Sequence, residues 1–290
     1  MGEIAERYYE QILTTLETMR RRCIAYYDGI FYIGRKVAKA AERLKEIAEP
    51  ATYDARDFIV QSCAETDPLQ NIETESKNNV VEMYLGISVI LIGFAGGQLS
   101  GAYAMSPIIE HFFDAYVEIL VLLAIPAFVF FNIRKNVSLD DHERRTTLFS
   151  STMFFGVLLG HLMGPRLLSI APSVMFATPL LFALAFDNGV VPTGLPALSR
   201  HTFFYIFSVI TVFVTTIVAA FVLGYFTFVG ALFNILHAAG LFLHFQIIMQ
   251  YVKDKSFMVG ESQMAYVGTI IVVQVIFATI FGSNPHLKSK

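Results

Sequence analysis

From residue 80 onward the chain is a succession of apolar stretches. Each is close to the roughly 20 residues that an α-helix needs to cross a bilayer. Seven can be delimited, at 80–104, 111–133, 146–164, 167–187, 202–223, 226–251 and 264–281. Charges are rare within them and gather in the short turns between. Only 16% of the 290 residues are charged and the chain has 27 phenylalanines. A globular chain has about a quarter charged residues. A water-soluble fold of this length could not hide so much apolar surface. The pattern predicts an all-α membrane protein with seven transmembrane helices, a transmembrane domain over 79–283 and a short polar tail over 284–290.

The N-terminal part differs. Residues 1–80 hold 11 of the 21 lysines and arginines. The net charge of −3 averages this polar part with a lipid-soluble body and says little about partners. The opening MGEIAERYYE lacks the apolar core of a signal peptide and the Ser or Thr of a myristoylation signal. Residues 3–48 read as helix. Ile12, Leu13, Leu16, Met19 and Ile24 form one apolar stripe, and Val37, Ala41, Leu44 and Ile47 another. Pro50 ends the pattern. Residues 50–80 read as a linker with a short helix at 55–64. Residues 1–78 are therefore expected to be a helical cytosolic extension. Its basic amphipathic part, residues 1–55, would dock a cytosolic partner or lie on an anionic membrane; the alternative is a solvated hairpin. Cys23 and Cys63 make neither a disulfide framework nor a zinc pattern.

Lysines and arginines set the orientation. On the N-terminal side stand Arg134, Lys135, Arg144, Arg145, Arg200, Lys253 and Lys255, while the opposite side has Arg166 and the tail lysines. The N-terminus is expected in the cytosol.

The sixth stretch is apolar enough to span, yet it carries Asn234, His237, His244 and Gln246. Asn234, His237 and His244 are spaced by three and seven residues and share one helical stripe. Polar groups at bilayer depth face the bundle interior or a water-filled path. The candidate ion-pathway residues are accordingly His244, His237, Asn234, Asp187, Asp114 and Glu118. The alternative for the histidines is an ordinary hydrogen bond to a carbonyl or hydroxyl. Asp114 and Glu118 lie four apart at the start of the second stretch, at a cation-gathering mouth or simply at the interface. Asp187-Asn188-Gly189, followed by Pro192 and Pro196, reads as a loop; a longer fourth helix would instead bring Asp187 to His244 or His237. His161 is expected at a solvated helix end. No HExxH, nucleophile elbow or phosphate-binding glycine loop is present. Neither an enzyme, a cofactor, a metal site nor a nucleic-acid partner is expected.

Residues 142–173, HERRTTLFSSTMFFGVLLGHLMGPRLLSIAPS, place a charged turn before a Phe-rich span with a Gly-Val-x-x-Gly core and a closing Pro-Ser. With Tyr84 opening a small-residue helix at Gly93, Gly96 and Gly97, and with Phe245-Gln246-Ile247-Ile248 in the sixth span, the chain resembles the Bax-inhibitor family over roughly 75–281. The resemblance implies an endoplasmic-reticulum or other internal membrane protein in which six helices surround the last one. It also implies a calcium leak, with calcium as the permeant ion, restraint of stress-induced cell death and apoptosis-related membrane partners besides the lipid bilayer. The family senses pH through two aspartates. Here His244 stands at the first position and Gly268-Thr269 at the second, so that sensor is not carried over. The other reading is a non-conducting membrane scaffold working through its N-terminal extension.

Overall fold

The computed structural model describes residues 52–68, 72–135, 141–168, 174–187, 198–223 and 226–282. The expected helix at 3–48 and the tail at 284–290 lie outside the described residues. The chain divides into two compact units, Met1–Val60 and Gln61–Lys290. In the first, the described residues 52–60 are helical. In the second, residues 61–64 are helical and residues 65–68 lead away without regular structure.

The second unit is a helical bundle. Its elements are α1 (Thr74–Leu99), continued by a π-helical turn (Ser100–Ala104), α2 (Ser106–Phe112), α3 (Ala115–Lys135), α4 (Asp141–Leu168), α5 (Ala177–Phe186), α6 (Arg200–Leu223), α7 (Phe228–Lys253) and α8 (Val259–Phe281). All regular structure among the described residues is helical. Five helices, α1, α4, α6, α7 and α8, are long and apolar enough to cross a membrane. A sixth span follows if α2 and α3 are taken together, although they meet at a 100° bend.

The fourth expected span is the main departure. Among the described residues of that stretch, Leu167 and Leu168 close α4 and the next helix is α5, ten residues long, about 15 Å of rise against a hydrocarbon core of about 30 Å. Its two ends fix its depth. The Ser88 hydroxyl donates to the Phe176 carbonyl at 3.1 Å, and the Lys77 ammonium stands 5.2 Å above the Phe186 ring. α5 thus runs antiparallel to the first half of α1. Phe182 of α5 is fully buried and gathers rings from three other helices, with Tyr84, Phe204, Phe207 and Phe245 at centroid distances of 4.7 to 5.3 Å. Asp187 follows the last turn of α5 with extended backbone angles.

The expectation that the last helix is central is corrected. The central helix is α1, of whose most apolar stretch 61% is buried, against 33% for α8. The cause is a mutual glycine seam. At Gly93, Gly97 and Gly101 of α1, an added methyl would strike Phe149, the Met153 carbonyl and the Val157 carbonyl of α4. At Gly156, Gly160 and Gly164 of α4, it would strike the Phe94 carbonyl, the Gln98 backbone and Ala102. Both sets recur every four residues, so each helix offers one stripe without side chains and the two backbones come together. The residue numbers rise together on both helices, so α1 and α4 are parallel. Gly96, expected on this face, has nothing within 4 Å of its missing methyl; the third member is Gly101.

The bundle has two unlike ends. At one lie Lys77, Arg144, Arg145, Arg200, Lys253 and Lys255. At the other, Arg166 is the only lysine or arginine among the described residues, and Tyr103, Phe112, Tyr116, Phe221 and Phe228 are exposed. Of these, the amphipathic rings of Tyr103 and Tyr116 are of the kind favoured at a boundary between lipid and water.

Candidate functional site

Asn234, His237 and His244 of α7 turn inward, as their spacing predicts, but each finds a different partner. The Asn234 amide donates to Thr216 Oγ1 of α6 at 3.2 Å. His237, 1% exposed, meets the Tyr266 hydroxyl of α8 through Nε2 at 2.8 Å, and its Nδ1 has no hydrogen-bond partner. His244 Nε2 lies 3.1 Å from the Ser262 carbonyl, and its Nδ1 lies 3.0 Å from the Tyr84 hydroxyl. A carbonyl only accepts, so Nε2 carries the proton and Nδ1 receives one from Tyr84. Both nitrogens of His244 are thereby used. Tyr84 and Tyr266 stand edge-on to each other at 6.2 Å and join the two histidines into one aromatic and hydrogen-bonded core.

The carboxylates do not meet these histidines. Asp187, at the charged end, shares the rim of a small cavity with Lys77 and Glu82. Asp114 is exposed in the bend between α2 and α3, where its carboxylate accepts from the Ala115 amide at 2.8 Å. Glu118, one turn on, is fully buried. Its oxygens lie 2.9 and 3.1 Å from His161 Nδ1 of α4, and Glu110 of α2 approaches the other ring nitrogen at 3.7 Å. The solvated position expected for His161 is therefore replaced by a close contact with the buried Glu118 carboxyl that fastens the bent α2–α3 segment to α4. Two further polar contacts lie in spans that otherwise read as plain apolar helix. Gln98 and Gln274 exchange hydrogen bonds at 3.1 and 3.3 Å while fully buried, and Gln263 donates to the Met83 carbonyl at 3.2 Å. Their signal in the sequence was a glutamine beside or within an apolar run of span length. Among the described residues, no group of three or more His, Cys, Asp or Glu is placed to hold a metal ion.

At the charged end, residues 63–67 form a strap over the ends of α6 and α7. The Cys63 carbonyl faces His201 Nε2 at 3.0 Å, the Thr66 carbonyl accepts from the Arg200 amide at 3.3 Å, and the Glu65 carbonyl accepts from Gln246 at 3.1 Å. Arg200, buried, donates to the same Gln246. The Lys253 ammonium lies 2.5 Å from the Glu65 carboxylate and 3.7 Å from that of Asp67.

A family model described as interactor of ZYG-11 matches residues 6–284. The chain belongs to the family of ZYG-11 interactors. No curated protein and no solved structure matches it. The match overturns the resemblance to the Bax-inhibitor family, and with it the calcium leak, the restraint of cell death and the apoptosis-related partners. The geometry of this ZYG-11-interactor chain gives the physical reason. The six candidate ion-pathway residues do not line one path: Asp114 and Glu118 sit toward the aromatic end, Asp187 sits at the charged end, and His244, His237 and Asn234 are tied into separate helix contacts between them.

The strap of this family member makes a testable electrostatic contact. The hydrogen bond from Lys253 holds the Glu65 carboxyl below its ordinary value of 4.5. A lowered folded-state pKa contributes stability above the ordinary value and loses it as pH falls through the lowered one. Exchange of the Arg200 amide, corrected for its intrinsic rate, is expected to accelerate as pH falls below 4.5 and through the lowered value of the Glu65 carboxyl, when the strap loosens. Lys253→Met should show no such step. Since both side chains are partly exposed, added salt should weaken the effect. An exchange rate unaffected by pH in the wild-type chain would show that the ion pair does not hold the strap.

Proposed function

We propose that the chain is a seven-pass membrane protein that presents its charged end to a cytosolic protein partner, ZYG-11. The observation that carries the reading is the family match, which runs through both units of the chain. The charged end supports it. The strap, Glu82 with Arg145, and Lys255 together offer an exposed surface of mixed charge. Such surfaces give specificity and fast encounter in protein association. The excess of lysine and arginine at this end favours the cytosolic side. Helix direction supports seven passes. α4 finishes at the aromatic end and α6 begins at the charged end, which asks for a crossing between them, and α5 is the described helix that would take part in it.

The test is direct binding of purified ZYG-11 to vesicles that carry the full chain in defined orientation. Vesicles exposing the charged end should retain ZYG-11, and those exposing the aromatic end should not. Binding to the aromatic end alone, or to neither, would overturn the reading. Release of the chain from membranes by alkaline carbonate would overturn the membrane part independently.

A further inference from the structure

Between α7 and α8 lies an open cleft of about 510 Å³ that no contact described so far occupies. Its volume falls in the range of small-molecule sites. The walls are apolar, with Gly240, Leu243 and Ile247 on α7 and Ala265 and Ile270 on α8. His244 and Tyr266 reach the cleft, but the nitrogens of His244 are taken by Tyr84 and Ser262, and the Tyr266 hydroxyl is taken by His237. A ligand would therefore meet their ring surfaces. From Glu261 to Ile270 the α8 wall rises by about 14 Å.

The mouth carries one carboxyl group. Glu261, in the first turn of α8, lines the cleft and makes no hydrogen bond or ion pair with any described residue. No lysine or arginine lines the cleft. A carboxylate at an apolar mouth selects a cation. A phosphate there would meet negative charge with no counter-charge in the lining. A neutral hydroxyl would donate one hydrogen bond but bring no counter-charge.

We infer that the cleft binds a long-chain amine. A single apolar chain would lie along Leu243, Ile247, Ala265 and Ile270, with its ammonium on Glu261. This rests on the membrane reading above, because the chain enters from the hydrocarbon.

The experiment uses the full-length protein in phosphatidylcholine nanodiscs, with a photoactivatable long-chain primary amine and the alcohol of the same chain as probes. Retention of the protein in the discs reports on the membrane reading separately from any labelling. The amine should label α7 and α8 peptides about tenfold more than the alcohol does, and Glu261→Gln should remove that advantage. Gly240→Leu should abolish labelling by both. A methyl at Gly240 meets only Ile270, at 4.0 Å, so the larger side chain is accommodated and fills the cleft. Equal labelling by amine and alcohol in the wild-type chain would overturn the proposal. So would an unchanged preference in Glu261→Gln, labelling that survives Gly240→Leu, or displacement of the amine by phosphatidylethanolamine as readily as by the unlabelled amine.

Discussion

Gly97→Leu is expected to destabilise the bundle by about 3 kcal/mol or more, while Gly96→Leu changes it by less than about 0.5 kcal/mol. The two glycines are adjacent in sequence, but Gly97 lies in the glycine seam and Gly96 lies outside it. A methyl at Gly97 runs into the Met153 carbonyl and the Val157 amide, which are backbone and cannot rotate away. Room could come only from separating α1 and α4, and that would open the seam at Gly93, Gly101, Gly156 and Gly160 as well. At Gly96 the side chain projects into open space, and leucine is the better helix former by several tenths of a kcal/mol. Thermal unfolding of the detergent-solubilised chain should show a fall of about 6–12 °C for the first variant and almost none for the second. Equal Tm values would mean that the two helices are not in backbone contact.

His161→Ala has the other large expected effect, about 3–5 kcal/mol. The change itself removes little packing; its cost lies in what it leaves behind. Glu118 is fully buried and takes two close contacts from that imidazole. Without the imidazole, a carboxylate remains in apolar surroundings with no partner from α4. Removing the carboxyl as well should restore much of the loss, so Glu118→Leu with His161→Ala should unfold well above His161→Ala alone. Additive losses in the double variant would show that the two groups do not interact. Because the pair fixes the bent α2–α3 segment, limited proteolysis near Asp114 should follow the same order.

The apolar helices were legible in the sequence because bilayer-length runs of apolar residues have few alternatives in structure. The boundaries expected at 202–223 and 226–251 fall within two residues of α6 and α7. The inward stripe of α7 was legible for the same reason, since a histidine at that depth must find a partner. Which partner it finds is set by helices far away in sequence. Tyr84 and His244 are 160 residues apart, and Glu118 and His161 are 43 apart. The short α5 was hidden because Pro172 and Pro179 weaken a span without stating where helix begins. The central place of α1 was half legible. Gly93 and Gly97 marked a close-packing face, but its continuation to Gly101 and its counterpart on α4 emerge only when the two helices are aligned. The family was misread for a related reason. A Phe-rich span with paired glycines is what close-packed apolar helices need in general, so such motifs carry physics common to many multi-pass chains.

The strap also bears on the order in which the protein is made. Glu65 and Lys253 are 188 residues apart. At about 5–20 residues per second, roughly 10–40 seconds of translation separate them. For most of that interval residues 63–67 are already outside the ribosome while α6 and α7 are still being synthesised. The charged end is therefore among the last parts of the chain to be completed, although its first residues emerge early. A binder that needs the closed strap will distinguish a finished chain from a nascent one.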